Sequence, residues 1–138
     1  MKRSVLSIAA ALLVGIVVGF TADRLLSAQQ EKIRRSSLLQ KELEGIPGKV
    51  AAVFLIEIAP DTATGKHSHP GNEIAYILEG SASVEAGGNK PITRRRGTVV
   101  HLAPNEVHDV KNPSKTEPMK AIVFALYDKG KPTVVPAN

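Results

Sequence analysis

The residues with the clearest chemical potential are two histidines, His67 and His69, separated by one serine. In a β-strand, residues i and i+2 point to the same face, so both imidazoles would project into the same space. Glu73 follows after a Pro-Gly-Asn sequence that can turn the chain back. Two imidazoles and one carboxylate on one face are the minimal ligand set of a metal site with open coordination positions. The chain has no cysteine, so a metal must be held by histidine and carboxylate.

A short H-x-H sequence is also compatible with a pair of solvated loop histidines, so the wider pattern matters. Around it the chain reads Asp61-x5-His67-x-His69-x3-Glu73-x6-Gly80. This resembles the first motif of the cupin superfamily of small metal-binding β-barrels, G-x5-H-x-H-x3,4-E-x6-G. Only the first glycine is replaced, by Asp61.

A second stretch resembles the other cupin motif, G-x5-P-x-G-x2-H-x3-N. It reads Gly97-x5-Ala103-x-Asn105-x2-His108-x3-Asn112. Ala103 replaces the proline and Asn105 replaces the turn glycine, and asparagine is the next residue after glycine to tolerate the left-handed conformation. The departures therefore concern turn geometry, whereas every position that the family uses for a metal ligand is retained.

The resemblance implies an all-β fold, a small double-stranded β-helix or jelly-roll barrel, preceded here by an N-terminal hydrophobic helix. It also implies that one divalent metal ion is bound by His67, His69, Glu73 and His108. Three neutral imidazoles and one carboxylate around a divalent ion leave one net positive charge and room for further ligands. Such a donor set suits Fe, Mn, Ni, Cu and Zn alike.

The residues near these motifs predict the character of the interior. If Glu73 faces the metal, strand alternation places Ala75 and Ile77 inside and Tyr76 on the outer face. A small, aliphatic lining predicts a dry pocket of modest size, suited to a small ligand. The remaining histidine, His101, shares the face of Val99 and is predicted to have a packing or supporting role and not to bind the metal.

Short runs rich in Val, Ile and Ala between Gly, Pro and Asn are typical of an all-β sandwich or barrel. We expect a hairpin turn at Gly87-Gly88-Asn89. The leucines of residues 36–44 also fit a helical stripe, but the resemblance to cupins implies an extended edge segment at residues 38–49. An exposed strand edge needs a cover, and the resemblance implies a homodimer through this segment. The strands are expected at residues 50–58, 73–78, 81–86, 98–102, 107–110 and 121–127.

The net charge of +5 belongs to the N-terminal part of the chain. Residues 1–49 carry eight Lys and Arg against four acidic residues, whereas residues 50–138 carry ten against nine.

Residues 4–22 are uncharged, and as a helix they would extend about 28 Å, close to the thickness of a bilayer core. With Lys2 and Arg3 in front, they predict either a cleaved signal peptide or a retained membrane anchor. The predicted organisation is residues 1–28 as signal or anchor, 29–37 as tether and 38–138 as cupin barrel.

These features predict an exported, periplasmic protein that is anchored to the inner membrane if the N-terminal segment is not cleaved. Nucleic-acid binding is not expected, because Arg94-Arg95-Arg96 is the only cationic run of the barrel and aromatic residues make up only 4% of the chain. We expect a small-molecule ligand or substrate. The leading interpretation is a metal-binding cupin of undetermined chemistry. The alternatives are a metal-dependent dioxygenase acting on a small organic substrate and a non-catalytic module that binds or senses a small ligand.

Overall fold

The computed structural model describes residues 32–137, so the predicted hydrophobic helix at residues 4–22 lies outside the described residues. Within residues 32–137 there is no helix of the length and apolarity needed to cross a membrane. Ten strands account for the regular structure of this range: β1 (Ile33–Glu42), β2 (Lys49–Ile58), β3 (His67–Ser68), β4 (Asn72–Glu79), β5 (Ser81–Ala86), β6 (Ile92–Arg95), β7 (Val99–Leu102), β8 (His108–Lys111), β9 (Met119–Asp128) and β10 (Val135–Pro136).

The strands form two five-stranded antiparallel sheets. The first has the order β1-β2-β9-β4-β7 and the second the order β10-β3-β8-β5-β6. Neighbours in the sheets are mostly distant in sequence, as in a jelly roll. The predicted all-β jelly-roll fold is therefore confirmed for the described residues.

One face of each central strand is buried, which fixes the strand register. In β9, alternate residues from Met119 to Tyr127 are buried, and in β4 the buried residues are Glu73 and Ile77. A shift of one residue would move all of these side chains to the opposite face. Ala75 is only partly buried and also faces inward, whereas Tyr76 is exposed, as predicted.

All six strands expected from the sequence are present, with ends shifted by no more than about two residues. The two-residue strands β3 and β10 and the strand β6 were not among them. All four residues of β6 are exposed, so β6 has none of the alternation by which a half-buried strand is recognised. The arginine run lies partly in β6, and Arg94 and Arg95 are exposed, as expected for a solvated surface.

Strand β1 is an edge of the first sheet, so residues 38–42 of the expected edge segment are extended, whereas residues 43–48 form the turn to β2. Strand β1 starts at Ile33, however, so the predicted tether (29–37) and the predicted domain start at residue 38 are corrected: residues 33–37 belong to the sheet. Ile33 packs against the buried core, and Arg34 forms an ion pair with Glu57 of β2. Strand pairing and burial of Ile33 thus outweigh the polar composition that indicated a tether.

Asn112, the last residue of the second motif, ties loops to the core. Its fully buried amide donates to the backbone carbonyls of Ile58, Ala59 and Glu117 and accepts a hydrogen bond from the Ser114 N–H. These bonds join the end of β2 to the loop between β8 and β9. The amide satisfies carbonyls that would otherwise be buried without a partner, which is costly.

The two motif positions where glycine is replaced have left-handed backbone. Asp61 has φ of 48° and Asn105 has φ of 60°, and they are the only non-glycine residues with positive φ in the described part of the chain. Aspartate and asparagine are the side chains that enter this region most readily. Asn105 donates its backbone N–H to the carbonyl of His69 at 2.7 Å, so this turn supports the histidine pair.

We predict that Asn105→Ala lowers the free energy of unfolding by about 1 kcal/mol, because alanine resists the left-handed conformation. Asn105→Gly keeps the same backbone without strain and is the matched control, with a change below about 0.5 kcal/mol. Urea denaturation of the three proteins measures both values. Equal stability of the alanine and glycine variants would contradict the explanation.

Candidate metal centre

Three of the four histidines converge at one end of the barrel. Candidate ligand atoms of His67, His69 and His108 all lie within 4.8 Å of one another. The ring centroids are separated by 4.3 Å for His67 and His108, 4.9 Å for His67 and His69, and 5.1 Å for His69 and His108. His69 and His108 are buried, and His67 is partly exposed.

Strand pairing produces this convergence. His67 in β3 lies directly opposite His108 in β8. His69 follows the end of β3 and reaches the same region, so the short H-x-H spacing delivers both imidazoles to one place. The two imidazoles point into the same space, as predicted from strand alternation, although β3 itself contains only His67 and Ser68.

Each imidazole is oriented by a backbone carbonyl. The Nδ1 atoms of His67, His69 and His108 lie 2.7, 2.5 and 2.9 Å from the carbonyl oxygens of Gly65, Thr133 and Glu106, respectively. A carbonyl oxygen can only accept a hydrogen bond, so each Nδ1 carries the proton and donates it. In a neutral ring the Nε2 atom then carries the lone pair, which is the form in which histidine binds a metal.

Glu73 lies beside this cluster in the buried interior. Its Oε2 atom is 3.2 Å from Nε2 of His69, and its Oε1 atom accepts a hydrogen bond from the hydroxyl of Tyr127. Glu73 is outside the set of side chains whose ligand atoms all lie within 4.8 Å of each other, which contains the three histidines alone. The structure thus brings the three predicted histidines together and places the predicted carboxylate next to one of them.

Burial controls the protonation of these groups. Desolvation lowers the pKa of both His69 and His108, which favours neutral imidazoles. Desolvation raises the pKa of Glu73, and the Tyr127 hydrogen bond opposes this change. The pKa of Tyr127 is raised by burial and by the neighbouring Glu73, so the phenol stays protonated and acts as a donor.

The cluster borders a small cavity inside the barrel. The cavity has a volume of about 90 Å³, and side chains from both sheets line it, most of them aliphatic, such as Ile56, Ile77 and Val123. Ala75 and Ile77 are in the lining, as predicted. The polar part of the wall consists of Thr64, His67, His69, Glu73 and His108. The modest size and the aliphatic lining are those that the sequence predicts.

His101 takes no part in the cluster. It is exposed on β7, and its Nε2 atom lies 3.0 Å from Oδ1 of Asn72. Together with Arg94 and Glu106 it borders a separate opening of about 480 Å³ between β6 and β7. The prediction that His101 is not one of the converging histidines agrees with this position.

The sequence reasoning missed Tyr127 and the backbone carbonyls that orient the imidazoles. Tyr127 donates to Glu73, and the Thr133 carbonyl orients His69. Tyr127 has the same strand parity as the buried Ala121 and Ala125, so alternation through β9 could have identified it as an inward-facing phenol. No sequence signal marks a backbone carbonyl in the loop before β10.

Comparison with known proteins assigns the family. Residues 54–125, just over half of the chain, match the family model described as "Cupin domain". This protein is a cupin. The matched region includes the three converging histidines, Glu73 and both left-handed turn residues. No curated protein matches the chain.

Solved structures support the cupin fold. An uncharacterised conserved protein with a double-stranded β-helix domain from Klebsiella pneumoniae has a TM-score of 0.63 at 17% identity, covering 78% of this cupin and 88% of that chain. A DMSP lyase from Ruegeria pomeroyi has a TM-score of 0.62 at 21% identity, covering 78% of this cupin and 52% of the lyase. A cupin superfamily protein from Desulfitobacterium hafniense has a TM-score of 0.59 at 15% identity, covering 71% and 80%. At these identities the similarity shows the fold alone.

The lowered histidine pKa values predict a pH dependence of stability in the metal-free protein. Below the ordinary pKa of 6.5 the unfolded chain binds more protons than the folded chain, because His69 and His108 stay neutral when folded. Their contribution to stability is therefore complete above pH 6.5 and is lost as the pH falls through the lowered pKa values. Glu73, with its raised pKa, acts in the opposite direction.

The Glu73→Gln variant isolates the histidine effect. Its free energy of unfolding in urea with a chelator should decrease as the pH falls from 8 to 5. The double variant with His69→Gln is the control and should show a smaller decrease. A profile that is the same in both proteins would contradict the assigned protonation states.

Proposed function

We propose that this protein is an exported cupin that binds one divalent metal ion through His67, His69, His108 and Glu73. One observation carries the proposal. Nε2 of His69 and Oε2 of Glu73 are 3.2 Å apart, and the Thr133 carbonyl fixes His69 as an Nε2 acceptor. Two buried acceptors that face each other need a shared cation or proton, and a metal ion satisfies both.

The donor set fits such an ion. Three imidazole nitrogens and one carboxylate oxygen suit Fe, Mn, Ni, Cu or Zn, and a bound ion of this kind supplies Lewis acidity or redox chemistry. The carbonyls on each Nδ1 hold the rings in the ligating tautomer. Tyr127 donates to one oxygen of Glu73, and the other oxygen lies beside His69. The aliphatic cavity wall excludes water and favours a small organic molecule beside the cluster.

The first test is the metal content of the protein expressed from its full chain and purified from the periplasmic and membrane fractions. We expect one divalent ion per chain by elemental analysis, and recovery in these fractions also tests export. His108→Ala should lower metal affinity by at least ~100-fold, because loss of a supporting group alone costs 10–100-fold. His101→Ala is the matched control and should keep full metal content. Equal metal content in both variants, or recovery only from the cytosol, would contradict the corresponding part of the proposal.

A second candidate is a metal-dependent dioxygenase acting on a small organic substrate. The observation that favours it is the apolar cavity of about 90 Å³ next to the histidines, which can shield a small reactant from water. Glu73 is the one carboxylate in the lining and the only candidate proton acceptor of that type there.

Oxygen consumption separates the dioxygenase from a non-catalytic binding module. We expect the protein loaded with Fe, Mn or Ni to consume oxygen with at least one small phenol, diketone or thiol, and the His108→Ala variant to be inactive. If no combination of metal and substrate consumes oxygen, the dioxygenase is rejected and the non-catalytic binding module is the remaining function of the metal centre.

A further inference from the structure

A third cavity, of about 230 Å³, lies beside the candidate metal centre where β1 meets the barrel. We call it the vestibule. Its polar lining includes Arg35, Ser37 and Gln40 of β1, and its walls include Phe54 and Tyr127. Phe54 also borders the inner cavity, and Tyr127 donates to Glu73. The vestibule is therefore one side chain away from the candidate metal ligands.

A β-bulge adds Gln40 to Arg35 and Ser37, which already face the vestibule by regular alternation. Ser37 is opposite Phe54, but the register shifts before Leu39, so that Gln40 is opposite Ala52. Regular alternation from Arg35 would place Gln40 on the outer face. The extra residue returns it to the inner face, and bulges next to active sites commonly redirect a side chain in this way.

Arg35 is held in place without a carboxylate partner. Its guanidinium carbon lies 3.4 Å from the centre of the Phe54 ring, and Nη2 is 3.5 Å from the Tyr127 hydroxyl. Arg35 forms no ion pair within residues 32–137, whereas its neighbour Arg34 on the opposite face is paired with Glu57. A guanidinium has five N–H donors in a planar fork that matches a carboxylate, and most of them remain uncommitted here.

We propose that the vestibule binds the carboxylate of a small organic acid. Arg35 supplies the charge and a two-point hydrogen bond, and Ser37 and Gln40 supply further donors. A single cation balances a single negative charge, which favours a monocarboxylate over a phosphate dianion. The Phe54 ring and Ala52 accommodate a short carbon chain. This inference rests on the proposed function, because the proposed function supplies the class of ligand, a small organic molecule.

The test is an NMR titration of the ¹⁵N-labelled protein with butyrate, butyramide and inorganic phosphate, with and without metal. We expect butyrate to bind in both states, and butyramide and phosphate to bind at least ~10-fold more weakly, because a charge-assisted pair is lost or mismatched. Arg35→Gln should weaken butyrate binding by at least ~10-fold, and Arg35→Lys by less. Gln40→Ala, at an exposed position, should weaken it by about 3-fold.

Arg34→Gln is the matched control, since it removes the same charge from the adjacent residue on the other face. It should change butyrate affinity by less than ~2-fold. The proposal is overturned if Arg34→Gln and Arg35→Gln have equal effects, or if butyramide or phosphate binds as tightly as butyrate. If butyrate binds only in the presence of metal and Arg35→Gln does not change its affinity, the carboxylate binds to the metal. This result would reject the vestibule inference and support the metal centre. Arg35-dependent binding in a protein that takes up no metal supports the vestibule and rejects the metal centre.

Discussion

The orientation of three imidazoles by backbone carbonyls is the constraint around which the site is built. Buried imidazoles are stable only if their N–H groups have acceptors, and Gly65, Thr133 and Glu106 provide them. These carbonyls belong to three separate connections of the chain, so the connections must be fixed by the sheets before the rings can converge. With every Nδ1 committed, Nε2 is the nitrogen that each ring has left for a ligand, and a cation is the natural partner of such a cluster of acceptors.

The sheets and turns meet this requirement with few specialised residues. The pairing of β3 with β8 sets His67 against His108, and the inward parity of β4 and β9 sets Glu73 beside Tyr127. The left-handed Asn105 then donates to the carbonyl of His69. The apolar core stabilises the barrel, and these few polar contacts decide where its ligating atoms lie.

The parts of the structure that were predictable from the sequence are those with a local signal. Half-buried strands such as β9 show alternation, and the histidines and left-handed turns follow from motif spacing and from the tolerance of Asn105 for positive φ. Strand β6 has no buried face, so its sequence shows no alternation of apolar and polar residues from which a strand could be predicted. The Tyr127 to Glu73 contact depends on the register between β4 and β9, and the Thr133 carbonyl depends on a loop. Neither the register nor a loop path can be derived from one sequence.

The edge strand β1 shows how one added residue changes the chemistry of a barrel. Arg34 and Arg35 are adjacent, yet Arg34 forms a surface ion pair whereas Arg35 lies against Phe54 and Tyr127, because neighbours in a strand face opposite sides. The bulge after Ser37 then adds Gln40 to the inner side. A molecule in the vestibule therefore meets a cation and polar donors. Tyr127 joins the two regions, since the same hydroxyl contacts Arg35 and donates to Glu73, so that a change in charge at Arg35 acts on the hydrogen bond that orients the carboxylate.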